Sequence, residues 1–259
     1  MKLHSMKLLT KSKTFRIVLF MVLGIYPLPL ISAELSAITI LDSMAKVMQP
    51  VHSKGKMKQE IITSSNIRRE FTFNYFSEFR GKNILIRYIE PQKVKHNAFL
   101  IKNNGDDIWV YFPRSNRVRK LASYLKKHKA QGSDFFYEDF SGINEWKSDY
   151  NVKKRPSGER KNYLLVLKTK PHSDKSYDSL KIYVNKFNFY PDRIMYYQDK
   201  NHLKTLYFQD IQDIQGIPTA MHIRMENHIE ESQTSMRILE MDYNVVFDQG
   251  FFTKQNLIK

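Results

Sequence analysis

The chain has 259 residues, no cysteine, and 42 lysine and arginine residues against 26 aspartate and glutamate residues. Without cysteine it has no disulfide, no thiolate metal site and no cysteine for lipid attachment. The formal net charge of +16 favours anionic partners such as phospholipid head groups or acidic protein surfaces, unless the excess serves only solubility.

Residues 1–33 have the pattern of a secretory signal. Five basic residues precede an uncharged apolar run at 17–26, and Ser32 and Ala33 place small side chains at the expected cleavage site. The run is shorter than the ~20 residues of a membrane-spanning helix, and prolines follow it. We therefore predict a cleaved signal peptide, a periplasmic protein and one domain over residues 34–259, with an uncleaved N-terminal anchor as the alternative. Export argues against nucleic acid as a partner.

The first element predicted in the domain is a helix over residues 36–48, which Pro50 ends. Its apolar residues form two neighbouring stripes, so the helix should be buried on more than one side. From residue 54 the apolar residues alternate with a period of two, which is typical of β-strands. Strands are predicted at 71–75, 84–88, 97–102, 107–112, 162–169, 180–187, 192–198, 203–210, 217–229 and 234–247.

Short turns join these strands. The polar run at 103–106 predicts a hairpin of strands 97–102 and 107–112. No crossover helix follows any strand, so the sheet is expected to be an antiparallel meander. A last helical turn is predicted at 252–257, with Thr253 as its N-cap. The fold class is therefore mainly β with few helices.

Several strands, such as 108–112 and 163–167, are apolar on both faces, so both faces need cover. Either these residues fill an ordinary core, or a curved sheet leaves an apolar cavity that binds a hydrophobic ligand. The candidate cavity residues are Phe71, Phe73, Trp109, Tyr111 and Phe112.

The strand pattern stops between residues 121 and 150, and long irregular segments in compact domains tend to be functional. We predict a lid loop at 122–142, with a short helix at 135–140. The candidate lid residues are Gly132, Ser133, Asp134, Phe135, Tyr137, Glu138 and Asp139. A basic docking patch for anionic membranes or acidic partners is predicted at Lys126, Lys127 and Lys129.

Asp134, Glu138 and Asp139 form the best acidic cluster of the chain. Two readings are open: an acid and base pair or cation site, or carboxylates that cap the segment and pair with nearby lysine and arginine. The second is the commoner origin of such clusters. The sequence has no H-E-x-x-H motif, nucleophile elbow or glycine-rich phosphate loop, so we expect no catalysis, cofactor or metal.

Two stretches, WVYFPRSNRVRKL at 109–121 and GSDFFYEDF at 132–140, resemble the signature of the LolA-like outer-membrane lipoprotein-sorting family. The similarity continues at GIPT (216–219) and FTKQNL (252–257). The resemblance implies a strongly curved antiparallel sheet that forms a half-open β-barrel closed by helices, with a hydrophobic cavity for acyl chains. It also implies a soluble periplasmic shuttle for lipids or lipoproteins.

Partners follow from the same resemblance. They are lipid or lipoprotein acyl chains, an inner-membrane transporter of the resistance-nodulation-division type and an outer-membrane acceptor, with the carrier itself a monomer. One alternative is an envelope-sensing module of the same fold that binds lipid or lipoprotein and a membrane protein. Another is a hydrolase that acts through the carboxylates at 134–139.

Overall fold

A computed structural model of the protein describes residues 34–140 and 143–258. Residues 1–33, to which the predicted signal belongs, lie outside the described residues, so the signal and its cleavage stay predictions. From Leu35 onward the chain forms one compact unit.

One antiparallel sheet of thirteen strands makes up most of the described chain. Within each half of the sheet, strands that follow one another in sequence are neighbours, because their connections are too short for a crossover. The first strand also pairs with the last, which joins the two halves, and the sixth and seventh strands lie at opposite edges, separated in sequence by the irregular segment after residue 120. The strands are β1 (His52–Ile62), β2 (Arg68–Glu78), β3 (Asn83–Glu90), β4 (Ala98–Lys102), β5 (Asp107–Phe112), β6 (Arg117–Lys120), β7 (Tyr150–Arg155), β8 (Asn162–Thr169), β9 (Ser179–Asn185), β10 (Pro191–Gln198), β11 (Asn201–Ile214), β12 (Ile217–Asn227) and β13 (Ser232–Asp242).

The sheet is curved and does not close, since β6 and β7 form its two edges. Both edge strands are short and basic, reading RVRK and YNVKKR. Charged edges disfavour pairing with the edge of another sheet. The predicted fold class is confirmed: a curved, half-open antiparallel sheet with few helices, which in the described chain are α1 (Ala37–Met48), α2 (Trp146–Asp149) and α3 (Lys254–Leu257).

The concave face is covered by α1 and by the chain between β6 and β7. The hydroxyl of Ser36 accepts a hydrogen bond from the backbone N–H of Thr39 (3.1 Å) and so caps the start of α1. The helix packs against β7 and β12. The chain between β6 and β7 consists of short 3-10 turns followed by α2. Both segments contribute to the main core through Ile40, Leu41, Met44, Phe135 and Ile143.

The convex face of β3–β5 is covered by the residues that follow β13. A second core cluster lies there, and it includes Leu100, Tyr111, Phe252 and Leu257. Alternation sends Phe99 to the main core and Leu100 to the convex cluster. These strands are therefore apolar on both faces because protein covers both. The predicted strand at 234–247 ends at Asp242, and the chain then leaves the sheet to form this cover.

Candidate functional site

An apolar cavity of about 250 Å³ lies between the concave face and the segments that cover it. Ligand pockets typically measure about 300–1,000 Å³, so this cavity is slightly smaller than that range. Strands β1, β2 and β10–β13 supply most of its wall, and the chain between β6 and β7 and residues in or beside several connections supply the remainder. Its apolar lining includes Phe73, Phe135, Phe140, Trp146, Ile194, Leu206, Phe208, Ile223 and Ile238.

Methionine is frequent in the wall of the cavity. Met48, Met57, Met236 and Met241 all line it. Their unbranched, polarisable side chains change rotamer at little cost and fill irregular gaps. A wall of this composition adapts its shape to an apolar ligand of variable length.

Apolar side chains make up most of the lining, and several of its polar groups are paired within the protein. The hydroxyls of Thr219 and Tyr243 are 2.7 Å apart in one hydrogen bond. Asp139 is the only lining residue of the described chain with a charged side chain, and a lysine neutralises it. The cavity is therefore suited to a hydrocarbon rather than to an ion or a sugar.

The five aromatic residues of the predicted cavity lie in four different environments. Phe73 lines the cavity. Phe71 is buried in the main core against the ring of Tyr88, outside the cavity lining. Trp109 and Tyr111 lie in the convex cluster, because residues with odd numbers on β5 point away from the concave face. The side chain of Phe112, at the end of β5, is 39% exposed.

The motif residues form an inner segment, defined as residues 129–140, that is built into the wall. Phe135 and Phe140 line the cavity, and Ser133 and Asp134 are buried. The carboxylate of Asp134 accepts hydrogen bonds from the hydroxyls of Thr234 (2.7 Å) and Ser232 (2.5 Å). The backbone N–H of Asp134 donates to Thr234 as well (2.9 Å). These bonds attach the inner segment to β13.

Glycine is favoured at position 132 of this segment. Its φ of +71° lies in the left-handed region, which residues with a Cβ rarely adopt. A Cβ there would also lie 3.2 Å from the guanidinium of Arg69, which donates a hydrogen bond to the Gly132 carbonyl (3.1 Å). The predicted helix at 135–140 is a single 3-10 turn at Tyr137–Phe140.

Asp139 sits at the centre of a second set of contacts. Its carboxylate accepts hydrogen bonds from the backbone N–H of Phe136 (2.7 Å), the hydroxyl of Tyr177 (2.6 Å) and the ammonium of Lys204 (2.6 Å). Three donors satisfy both oxygens of this carboxylate. Burial raises the pKa of the Tyr177 hydroxyl, which therefore stays protonated and donating.

Lys204 is fully buried, with 0% exposure. Its ammonium also donates to the Asp134 carbonyl (3.1 Å) and lies 3.9 Å from the centroid of the Phe136 ring. The rings of Tyr177 and Tyr196 flank it at 5.0 and 5.4 Å. Burial lowers the pKa of Lys204, while the neighbouring carboxylates act in the opposite direction. This aromatic cage attaches the inner segment to β11.

Glu138 points to the other side of the inner segment. It accepts a hydrogen bond from the backbone N–H of Ser176 (3.2 Å). Burial raises the pKa of Glu138, and the charge of Asp139 adds to that effect. The three acids of the cluster thus act as acceptors for the segment and its neighbours. Among the described residues, no group of three His, Asp or Glu side chains has the arrangement of a metal site.

Each lysine of the predicted docking patch has a partner within the protein. The ammonium of Lys126 donates to the carbonyl of Asp106 (2.7 Å), and Lys127 pairs with Asp174 (2.6 Å). Lys129 pairs with Glu230 (2.5 Å) and with Asp134 (3.3 Å). The acidic partners of Lys127 and Lys129 reduce the charge that these two lysines offer to an external partner, whereas the partner of Lys126 is a neutral carbonyl.

The sequence interpretation did not identify Lys204 or the wall contributed by β10–β13. The strand pattern could have revealed the buried lysine. Lys204, Leu206 and Phe208 lie on one face of β11, so a lysine interrupts an otherwise apolar face. No helix within 34–140 or 143–258 combines the length and the hydropathy that a membrane crossing requires.

Comparison with known proteins relates this site to a fold. A family model described as "Uncharacterized protein" matches residues 80–259. No curated protein matches the chain in sequence. Among solved structures, a domain from Vibrio parahaemolyticus described as an outer-membrane lipoprotein-sorting protein is 21% identical, with a TM-score of 0.76 over 86% of this chain and 98% of that one.

Two further structures share the fold. A DUF1329 family protein from Desulfovibrio piger is 22% identical, with a TM-score of 0.76 over 86% of this chain and 99% of its own. A LolA superfamily protein from Nitrosomonas europaea is 20% identical, with a TM-score of 0.69 over 86% of this chain and 100% of its own. At these identities the likeness is one of fold.

Proposed function

Because the chain belongs to the protein family whose model matches residues 80–259, and has the LolA-like fold of lipoprotein-sorting proteins, we propose that it binds lipid or the acyl chains of lipoproteins in its concave cavity. It carries them through the periplasm toward the outer membrane as a soluble monomer. The observation that supports this function is the largely apolar cavity, with its methionine-rich wall.

The volume of the cavity limits the affinity that an acyl chain can reach in it. A volume of about 250 Å³ holds roughly eight groups of the size of a water molecule, ~30 Å³ each, and a methylene is of similar size. Burial of roughly eight methylenes contributes about 6 kcal/mol. Because association also loses translational and rotational freedom, that free energy sets an upper limit on the affinity, a dissociation constant of roughly 40 µM. Such an affinity allows both uptake and release.

The inner segment limits the cavity to part of one acyl chain. Phe135 and Phe140 of this segment, together with Ile143 beyond it, occupy the concave side opposite the strands. A cargo with several chains therefore requires this side to move outward, which is the lid role proposed for residues 122–142. Since the oxygens of Asp139 are taken by three internal donors, we assign no catalytic role to the acidic cluster.

The test is binding of a fluorescent fatty acid to the purified protein. In Ala220→Phe the new phenyl ring occupies the cavity, because Ala220 is a small buried residue of its wall. We expect binding to weaken at least tenfold, while circular dichroism shows an intact fold. The matched control is Phe112→Ala, which alters an aromatic residue outside the cavity lining and should bind like the wild type.

Equal binding by wild type and Ala220→Phe would refute the cavity as the site. Mass spectrometry of the natively purified protein supplies an independent readout, since a carrier should retain acyl lipid. Export is tested by N-terminal sequencing of periplasmic material, where a start near residue 34 is expected. Capture of an inner-membrane transporter or an outer-membrane acceptor by crosslinking would identify the partners.

A further inference from the structure

The cavity extends toward one end of the sheet, which we call the mouth end. Its lining there includes Gln49, Gly81, Thr219 and Tyr243, all of which lie in or beside connections between elements. Strand pairing places these connections at the same end, since β1 begins opposite the end of β2 and close to the end of β13. The turn between β9 and β10 lies at this end too, because β10 begins beside the later half of β11.

Two turns of the mouth end carry exposed phenylalanines. Phe79, in the turn between β2 and β3, is 57% exposed, and Phe187, in the turn between β9 and β10, is 96% exposed. Each turn adjoins the cavity: Gly81 lies in the first and Tyr190 follows the second, and both line it.

Hydrogen bonds donated by backbone N–H groups hold both turns in place. In the first, the N–H of Lys82 donates to the carbonyl of Phe79 (3.2 Å), and the N–H of Arg80 donates to Val51 (3.1 Å). In the second, the N–H of Phe187 donates to the side-chain carbonyl of Asn185 (2.9 Å). The phenylalanines are thus presented to solvent by ordered turns rather than by frayed ends.

The charge beside these phenylalanines is positive. The first turn reads Phe79-Arg80-Gly81-Lys82, and Lys186 directly precedes Phe187. Neither turn contains an acid. At the opposite end of the sheet Ile229 is also exposed, at 62%, but Glu230 and Glu231 follow it. Glu78 precedes Phe79 as the last residue of β2, where it accepts a hydrogen bond from the Asn83 side chain (2.8 Å). An exposed aromatic ring with cations in the same turn is the composition of segments that lie in the interface of an anionic membrane.

We propose that these two turns dock the mouth of the cavity on an anionic phospholipid bilayer. The inference rests on the proposed function, because docking there brings the acyl-binding cavity to the lipid. Phe79 and Phe187 enter the interfacial region, and Arg80, Lys82 and Lys186 contact lipid phosphates. Strands β2, β3, β9 and β10 are paired on both sides, so the turns offer no free strand edge to a peptide.

The experiment measures co-sedimentation of the periplasmic form with vesicles of phosphatidylglycerol and phosphatidylcholine, and with phosphatidylcholine alone. Its N-terminus is sequenced first, so that a retained apolar run at 17–26 is not mistaken for docking. We expect wild type to bind the anionic vesicles more tightly. Each of Phe79→Ser and Phe187→Ser should weaken that binding about tenfold, or ~1.4 kcal/mol. Lys82→Glu combined with Lys186→Glu should remove the preference for anionic lipid.

Ile229→Ser is the matched control, since it removes an equally exposed apolar side chain at the acidic end. It should bind vesicles like the wild type. Binding of a fluorescent fatty acid in solution should be unchanged in all of these variants, which separates docking from the cavity.

Failure of the wild type to bind vesicles would overturn docking on a bilayer and leave an acidic protein as the occupant of this surface. Unchanged vesicle binding by both serine variants would overturn it equally. If the wild type binds vesicles but does not bind the fatty acid, the cavity rather than the docking surface is overturned.

Discussion

The buried pair of Lys204 and Asp139 gives the sharpest test of how the inner segment is held. Asp139→Asn keeps the shape of the side chain but removes the charge that neutralises a lysine with 0% exposure. The lysine then keeps the Asp134 carbonyl and the Phe136 ring as its remaining favourable contacts. Breaking a buried pair on one side typically costs about 3–5 kcal/mol. We expect the free energy of unfolding to fall by that amount.

Lys204→Met should cost a similar amount, because Asp139 then keeps only Phe136 and Tyr177 as donors. The double variant leaves neither an unpaired cation nor an unpaired anion. We therefore expect its cost to be smaller than the sum of the two single costs by ~2–3 kcal/mol, as for residues in direct contact. Urea unfolding followed by tryptophan fluorescence measures all three values.

The control is an exposed ion pair of similar length. Lys58 and Glu70 are 3.0 Å apart with side chains 43% and 48% exposed. Glu70→Gln should cost less than about 1 kcal/mol, because solvent screens such a pair. The reasoning is refuted if Asp139→Asn costs no more than this control, or if the two single costs simply add in the double variant.

Three further variants test other parts of the structure. Glu138→Gln should stabilise the protein at neutral pH, since burial raises the pKa of Glu138 and its charge opposes folding above that pKa; the gain should vanish as the pH falls below the usual glutamate pKa. Gly55→Ala should cost about 1–3 kcal/mol in urea unfolding, because its Cβ would lie 2.8 Å from the Glu240 carbonyl. Thr253→Ala should cost ~1 kcal/mol by removing the N-cap of α3; an unchanged unfolding midpoint would contradict this.

Strand prediction succeeded where apolar and polar residues alternate, and it failed where charged residues take the place of the apolar ones. The hairpin of β4 and β5 is present, with Lys102 paired to Asp107 across the turn. The edge strands β6 and β7 were not predicted, because their sequences RVRK and YNVKKR have almost no apolar alternation. An edge strand needs little burial, so the hydrophobic pattern on which strand prediction relies is weakest there.

Cavity residues were harder to predict than strands. Alternation along β5 separates Trp109 and Tyr111 from Ile108 and Val110, but it does not say which set faces the concave side. The residues after β13 decide this, since they cover the convex face with Phe252.

The amino-acid sequence by itself determined the class of the fold, the meander of short strands, the absence of disulfides and the motif that forms the inner segment. These properties depend on local spacing and composition. The tertiary structure decided the pairing of β1 with β13, the burial of Lys204 against Asp139, 65 residues away in sequence, and the side of the sheet on which a cavity remains. Contacts between distant residues depend on the curvature of the whole sheet, which no local pattern of residues specifies.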